Sequence, residues 1–363
     1  MTASPRPLPG ILDIAPYKGG EAAPPYDGVS YKLASNENPL GCSPRAVEAY
    51  RAAAADLALY PDGAHAALKA AIGARHGVDP SWILCSAGSD EAFQLLGRAY
   101  LGRGDAIVQS QHAFLVYRLV AQQCGADVIT VPDRDRVADV DAMAAAVTPN
   151  TRIVFLANPN NPTGTYAPFD AVRRLHAALP SDVLLVLDGA YAEYVGRNDY
   201  SAGLELVLES RNVMMTRTFS KIHGLAALRV GWAVAHPDIV AALDRVRGPF
   251  NVSGPGLAAA AAAFADEAFE AESVRANAAE RDRLAARLAA LGLAVTPSVC
   301  NFLLVDFGDA DLANGADAAL KANGLSVRKV ASYDLPTCLR ISIGPAPATD
   351  RVLDVLAQFC ARS

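Results

Sequence analysis

Several features are absent from this sequence, and each absence narrows what the chain can be. Its six cysteines, Cys42, Cys85, Cys124, Cys300, Cys338 and Cys360, are scattered through 363 residues with no Cys-x-x-Cys pair and no tight cluster with histidine. No zinc or other metal site is expected from that spacing, and the thiols are expected to stay reduced. There is no block of like charge: the 32 Lys and Arg and 38 Asp and Glu are interspersed, for a net charge of -6. That pattern offers no footprint for a polyanion, so neither nucleic acid nor a membrane surface is an expected partner. No apolar run approaches the ~18 residues that a spanning helix needs. The first ten residues carry Pro and Arg where a secretory signal would need an apolar core, and the expected location is cytoplasmic. Internal repeats are also missing. Small molecules are the expected partners.

What is present is a long chain, 52% hydrophobic, that exceeds the size at which a single core usually stops growing, so two domains are expected. From about Ser81 to Trp232, short β-rich runs alternate with longer helical patterns. This is the signature of an α/β fold: a mostly parallel sheet between helices. The expected strands are Trp82–Cys85, Ala106–Gln109, Asp127–Val131, Arg152–Ala157, Val183–Asp188, Val213–Thr216 and Arg229–Ala233. Continuous apolar runs such as Ile153-Val154-Phe155-Leu156 fit parallel strands buried on both faces. Gly256 to Gly292, rich in Ala, Glu and Arg and free of Pro, reads as one long helix or two. Strand-like Phe302–Val305, Leu325–Arg328 and Leu339–Ile343, interleaved with helical Leu312–Asn323 and Asp350–Arg362, suggest a smaller C-terminal α/β domain. The expected division is an N-terminal arm over 1–30 that packs on the small domain or a partner, a large domain over 31–255 and a small domain over 256–363.

The chemistry is concentrated in three segments. Thr218-Phe219-Ser220-Lys221 places a lysine just after a strand, in a stretch that also carries Arg217 and Arg229. A lysine that attacks a carbonyl must lose its charge, and burial near other cations lowers its pKa as that requires. Asn158-Pro159-Asn160-Asn161-Pro162-Thr163-Gly164 and Asp188-Gly189-Ala190-Tyr191 each follow an expected parallel strand, at the end where open α/β sheets bind ligands. Taken singly, the first of these could be an ordinary turn and Asp188 a helix cap. Three such segments in this order point to a shared site.

Together with Leu33-Ala34-Ser35-Asn36-Glu37-Asn38-Pro39-Leu40-Gly41, Tyr60-Pro61-Asp62-Gly63, Ser86-Ala87-Gly88-Ser89-Asp90-Glu91 and Leu339-Arg340-Ile341-Ser342-Ile343-Gly344, these segments resemble the fold-type-I aminotransferases that use pyridoxal 5'-phosphate (PLP). Within them the chain is similar to the histidinol-phosphate aminotransferase family, over nearly its whole length. The resemblance implies a large PLP-binding domain and a small one, with Lys221 holding the cofactor as a Schiff base. Asp188 would pair with the ring nitrogen, and Asn161 and Tyr191 with the ring oxygen. Gly88, Ser89 and Asp90 at a helix start, with Ser220 and Arg229, would hold the cofactor phosphate. Phe114 would stack on the ring or belong to an apolar helix face. Tyr60 would reach the cofactor of a neighbouring subunit, implying a homodimer. For the substrate, Arg340 would fork onto a carboxylate, Arg328 and Tyr17 would grip a phosphate, with a solvated strand end as the other reading of Arg328, and Asn38 would complete the pocket.

The implied reaction is ping-pong transfer of the amino group of L-histidinol phosphate to 2-oxoglutarate, giving imidazole acetol phosphate and L-glutamate in histidine biosynthesis. An aromatic or broad-range aminotransferase, a phosphothreonine decarboxylase and a PLP-binding regulator without turnover are the alternatives. Two departures stand out. Relatives often carry Glu where this chain has Gly189, and Gln111-His112-Ala113-Phe114 lacks the Pro-Thr-Tyr of some relatives. His112 and His223 are expected to be hydrogen-bonded core or loop histidines.

Overall fold

The buried apolar runs assemble, in a computed structural model that describes residues 5–16, 19 and 22–362, into a seven-stranded sheet. Its order across the sheet is Ile83–Ser86, Gly231–Ala235, Val213–Thr218, Leu184–Asp188, Thr151–Ala157, Ala106–Ser110 and Asp127–Val131. Successive side chains of a strand point to opposite faces. Ile153 and Phe155 therefore join one core cluster with Phe93, Leu96 and Val186, while Val154 and Leu156 join another with Leu185, Leu187 and Trp232. With both faces covered by helices, no position along such a strand is left for a polar residue, which explains the unbroken apolar runs.

One strand departs from the parallel pattern. Gly231–Ala235 runs antiparallel to both of its neighbours. It also begins later than expected, because Arg229 has a left-handed backbone with φ 53° and cannot belong to the strand. Gly231 matters for what lies above it: a Cβ there would sit 2.5 Å from Ser89 N, so only glycine lets the Gly88–Ser89 turn come this close.

The C-terminal part is a four-stranded antiparallel sheet, ordered Arg328–Lys329, Cys338–Ser342, Phe302–Asp306 and Ala294–Val295, with helices Ala310–Ala322 and Ala346–Cys360. The expected strand Leu325–Arg328 is split. Leu325–Ser326 pairs in parallel with Tyr31–Lys32, and only after Val327 does the chain join the antiparallel sheet. The Ala-rich region forms two helices, Gly254–Phe264 and Glu267–Ala290. Ala259, Ala260, Ala263 and Phe264 of the first pack in the core of the seven-stranded sheet, whereas Leu284 and Leu288 of the second pack in the C-terminal core. The packing thus divides between the two helices, and a boundary at 255 and 256 would cut the first of them. Leu33 also lies in the C-terminal core, so the chain enters the large sheet only after this point. The end of the N-terminal arm lies against helix Ala346–Cys360, where the Arg351 guanidinium sits 5.6 Å from the Tyr26 ring and 5.3 Å from that of Tyr31. No helix among the described residues is long and apolar enough to cross a membrane.

Candidate active site

The carboxyl ends of the parallel strands open into a cavity of about 390 Å³. Four of these strands lead at or just past their ends to a residue that lines it. Leu184–Asp188 ends in Asp188, Val213–Thr218 leads to Ser220 and Lys221, Thr151–Ala157 leads to Asn161, and Ala106–Ser110 leads to Phe114. The C-terminal sheet closes the opposite wall with Arg328 and Arg340, joined by Tyr333 from the short helix between their strands.

Lys221 Nζ donates to the carbonyl of Ser35 at 2.9 Å. Burial, and next the Arg340 guanidinium, hold its pKa down at about 8; Arg229 acts in the same sense, and Glu37 and Asp90 oppose it. The other cation expected beside it, Arg217, is elsewhere. Arg217 turns into a buried ion pair with Glu193 at 2.8 Å. Gly189, the departure from the relatives' Glu, makes room for that pair, since a Cβ there would already lie 3.1 Å from Arg217 Cδ.

Asp188 is buried at 5% exposure and makes no ion pair among the described residues. Its Oδ2 accepts from the Tyr117 hydroxyl at 2.6 Å, and its Oδ1 from Ala190 N at 3.1 Å and more distantly from Thr216 Oγ1 at 3.4 Å. Burial raises its pKa to about 6, against the hydrogen bonds from Tyr117 and Ala190. A buried carboxylate without a cation, beside a buried amine that sheds its proton easily, fits a ligand bringing a positively charged ring nitrogen and an aldehyde.

A corner of the cavity suits an anion. Gly88, at φ 79° and ψ 163°, turns the chain into helix Ser89–Tyr100, whose first N–H groups lack intrahelical acceptors. Arg229 Nη1 donates to Ser220 Oγ at 3.0 Å, and its Nη2 lies 3.7 Å from Asp90 Oδ2. A Cβ on Gly88 would fall 2.3 Å from Arg229 Nη2, so the turn must be glycine for the guanidinium to reach across. Gly88 itself does not line the cavity; it sets the turn for Ser89 and Asp90, which do.

On the other wall, Arg340 is buried, donates to Asn161 Oδ1 and, at 2.6 Å, to the carbonyl of Ala34, and lies over the Phe302 ring. Tyr191 accepts from Asn36 Nδ2 at 2.9 Å, and its ring centroid is 5.8 Å from Lys221 Nζ. In the Asn-Pro-Asn-Asn segment the asparagines divide their work. Asn158 bonds the backbone of Ala167 and Asn160 bonds the carbonyl of His112, so these two build the turn while Asn161 faces the cavity. His112 is a loop histidine, its Nδ1 2.7 Å from the carbonyl of Tyr333.

Three expected site residues stand apart. Asn38 spends its amide on Ile222 O at 2.7 Å and Ser273 Oγ at 3.0 Å, so it fastens the Lys221 loop to helix Glu267–Ala290 and does not line the cavity. Tyr60 is 82% exposed and stacked on Phe250, outside this chain's own cavity. Tyr17 lies outside the described residues. Conversely, Ser35, Asn36, Glu37, Thr218 and Tyr333 line the cavity, and Tyr117 touches Asp188 from behind. Asn36 lay in plain view within Ser35-Asn36-Glu37-Asn38; nothing local marked Tyr117.

Comparison with known proteins agrees with this arrangement. The family model for aminotransferase class I and II matches residues 30–359. Histidinol-phosphate aminotransferase of Rhodopseudomonas palustris (strain HaA2) is 50% identical over 361 residues, covering 99% of each chain. That of Maricaulis maris (strain MCS10) is 52% identical over 355 residues, covering 97% of this chain and 98% of the relative. Among solved structures, histidinol-phosphate aminotransferase from Sinorhizobium meliloti in complex with pyridoxal-5'-phosphate superimposes with a TM-score of 0.92 at 31% identity over 99% of both chains. With the lysine, the buried carboxylate and the anion corner in place and a family model spanning nearly the whole chain, the protein belongs to the class I and II aminotransferases.

Proposed function

We propose that this aminotransferase moves the amino group of L-histidinol phosphate to 2-oxoglutarate with pyridoxal 5'-phosphate as cofactor. The observation that carries the substrate assignment is the pair Arg328 and Arg340, partners across adjacent strands that both line the cavity facing Lys221. Two cations at the substrate end suit a phosphate on one substrate and a second carboxylate on the other. The full-length relatives at about half identity carry the same activity in their names.

When bound, pyridoxal phosphate supplies an aldehyde for the amine and a protonated ring that draws electron density from the substrate carbon. Ser89, Asp90, Ser220 and Arg229 would hold its phosphate, and Asp188 would hold its ring nitrogen. Lys221, with its pKa lowered to about 8, has enough neutral amine near neutral pH to attack the aldehyde. As a free amine, its Nζ would carry the proton away from the substrate carbon, a transfer suited to a group whose pKa lies near working pH. Arg340 fixes the substrate anion, and Asn161, which it orients, and Tyr191 face the ring oxygen. Both substrates use the same arginines in turn, so they bind one after the other.

Leu57, Leu59, Tyr60 and Phe250 are large apolar side chains exposed at 69%, 71%, 82% and 45%, and they support a homodimer in which Tyr60 serves the neighbouring cavity. The enzyme acts in the cytoplasm. The test is glutamate formation from 2-oxoglutarate with L-histidinol phosphate: the wild type should turn over with parallel-line kinetics, and Lys221→Ala should not. Turnover by Lys221→Ala would sink the assignment.

A further inference from the structure

Tyr117 belongs to none of the motifs that mark the site, yet it is fully buried in contact with Asp188. Its ring stacks on Phe155 with centroids 4.5 Å apart and 5° between planes, and Phe93 meets it edge-on at 5.1 Å. So packed, the ring has one pose, and in that pose its hydroxyl makes the shortest of the three hydrogen bonds to the Asp188 carboxylate, 2.6 Å against 3.1 Å and 3.4 Å.

We infer that Tyr117 is a positioning residue: its hydroxyl keeps the buried Asp188 carboxylate charged and aimed, and through Asp188 it keeps the cofactor ring nitrogen protonated. The role at the cofactor rests on the function proposed above; the coupling to Asp188 is a property of the chain alone. Burial favours a neutral carboxyl, and no cation is paired with Asp188 among the described residues. From helix Ser89–Tyr100, Asp90 pushes in the same direction. The largest opposing contributions come from neutral donors: Tyr117 from helix Leu115–Cys124, the Ala190 N–H and Thr216 from the adjacent strand; Lys221 and Arg340 line the same cavity. Tyr191 and Tyr200 also face the carboxylate, and burial raises both phenols above their ordinary range, so they bring no charge. Burial likewise pushes the Tyr117 phenol well up, so it remains a donor wherever the enzyme works. A hydrogen bond to an ionised group is worth enough to move a carboxylate by about one pH unit or more.

The test is an infrared difference titration of the cofactor-stripped full chain, following the protonated-carboxyl band that Asp188→Asn abolishes. Tyr117→Phe should raise the midpoint by about one unit, and Thr216→Val, which removes the 3.4 Å donor, should raise it less. Replacing Tyr117 with a fluorinated tyrosine strengthens the donor and should lower the midpoint; a residue that only fills space would produce no such ordering. In the loaded enzyme, the acid limb of the kcat profile should move with the midpoint. Should Tyr117→Phe fail to fold, the fluorinated protein and Thr216→Val decide the matter. An Asp188 midpoint indifferent to donor strength overturns the inference. A midpoint that follows donor strength in a chain that, once stripped, takes up no added pyridoxal phosphate supports the coupling and overturns the proposed function instead.

Discussion

Arg328 and Arg340 are directly opposed across two antiparallel strands, Arg328–Lys329 and Cys338–Ser342, and both open on the cavity that contains Lys221. Like charges placed opposite one another on a sheet repel, an arrangement that gains a purpose when an anion lies between or above them. Arg340 is also committed to Asn161 and Ala34, which fixes it as the constant part of the pair. Arg328, less buried, is then the residue proposed to contact the phosphate. With 2-oxoglutarate saturating, Arg328→Gln should raise KM for L-histidinol phosphate by about 10-fold to 100-fold with kcat little changed, while turnover of phenylalanine stays within a factor of about two. Steady-state kinetics with both donors would check this, and equal losses for both would contradict it.

Lys221 gives a pH prediction whose sign is fixed. Its pKa falls from 10.5 to about 8 on folding, chiefly through burial, so between those values the unfolded chain binds more protons than the folded one. Stability of the cofactor-free protein therefore gains a contribution as pH rises from about 8 towards 10.5, and that contribution is absent below this window. Urea midpoints across that range should show the gain in the wild type and its loss in Lys221→Met.

The Arg217–Glu193 pair is largely buried, with side chains exposed at 12% and 8%. Removing one partner leaves an uncompensated buried charge, so Arg217→Leu should cost about 3–5 kcal/mol of stability. Because Arg217 is not among the groups that hold Lys221 down, the pH dependence of cofactor uptake should stay where it was. A change in that dependence would return Arg217 to the site.

Subunit exchange tests the sharing of sites. Tyr60→Ala and Lys221→Ala proteins, each inactive or strongly impaired alone, should recover activity when denatured together and refolded. A mixed dimer then contains one site with neither defect. Activity that never exceeds the sum of the two parents would contradict a Tyr60 contribution to the neighbouring cavity.

Much of this architecture is legible in the amino-acid order, and the parts that are not have physical reasons. Buried strands announce themselves because both faces are apolar, as in Ile153-Val154-Phe155-Leu156, but direction leaves no such mark, and Gly231–Ala235 is as apolar as its parallel neighbours while running the other way. The break after Ser326 was invisible because the residues on either side of Val327 are equally suited to a strand; only their partners differ. Lys221, Asp188, Asn161, Arg229 and Arg340 could be picked out because each lies in a compact motif. Tyr117 could not, because its proximity to Asp188 is created by the stacking of helix Leu115–Cys124 on the sheet. Asn38 misled for the opposite reason: it lies in a motif whose neighbours Ser35, Asn36 and Glu37 reach the cavity, while its own side chain points to the loop behind.

The most direct test of the central claim is a half-reaction. The purified protein loaded with pyridoxal phosphate is mixed separately with L-histidinol phosphate, phenylalanine and phosphothreonine, and the cofactor's absorption is followed through a single turnover. The account predicts rapid conversion to the amino form with histidinol phosphate, slow conversion with phenylalanine, and no release of carbon dioxide from phosphothreonine. Faster conversion by phenylalanine, or carbon dioxide release, would contradict it.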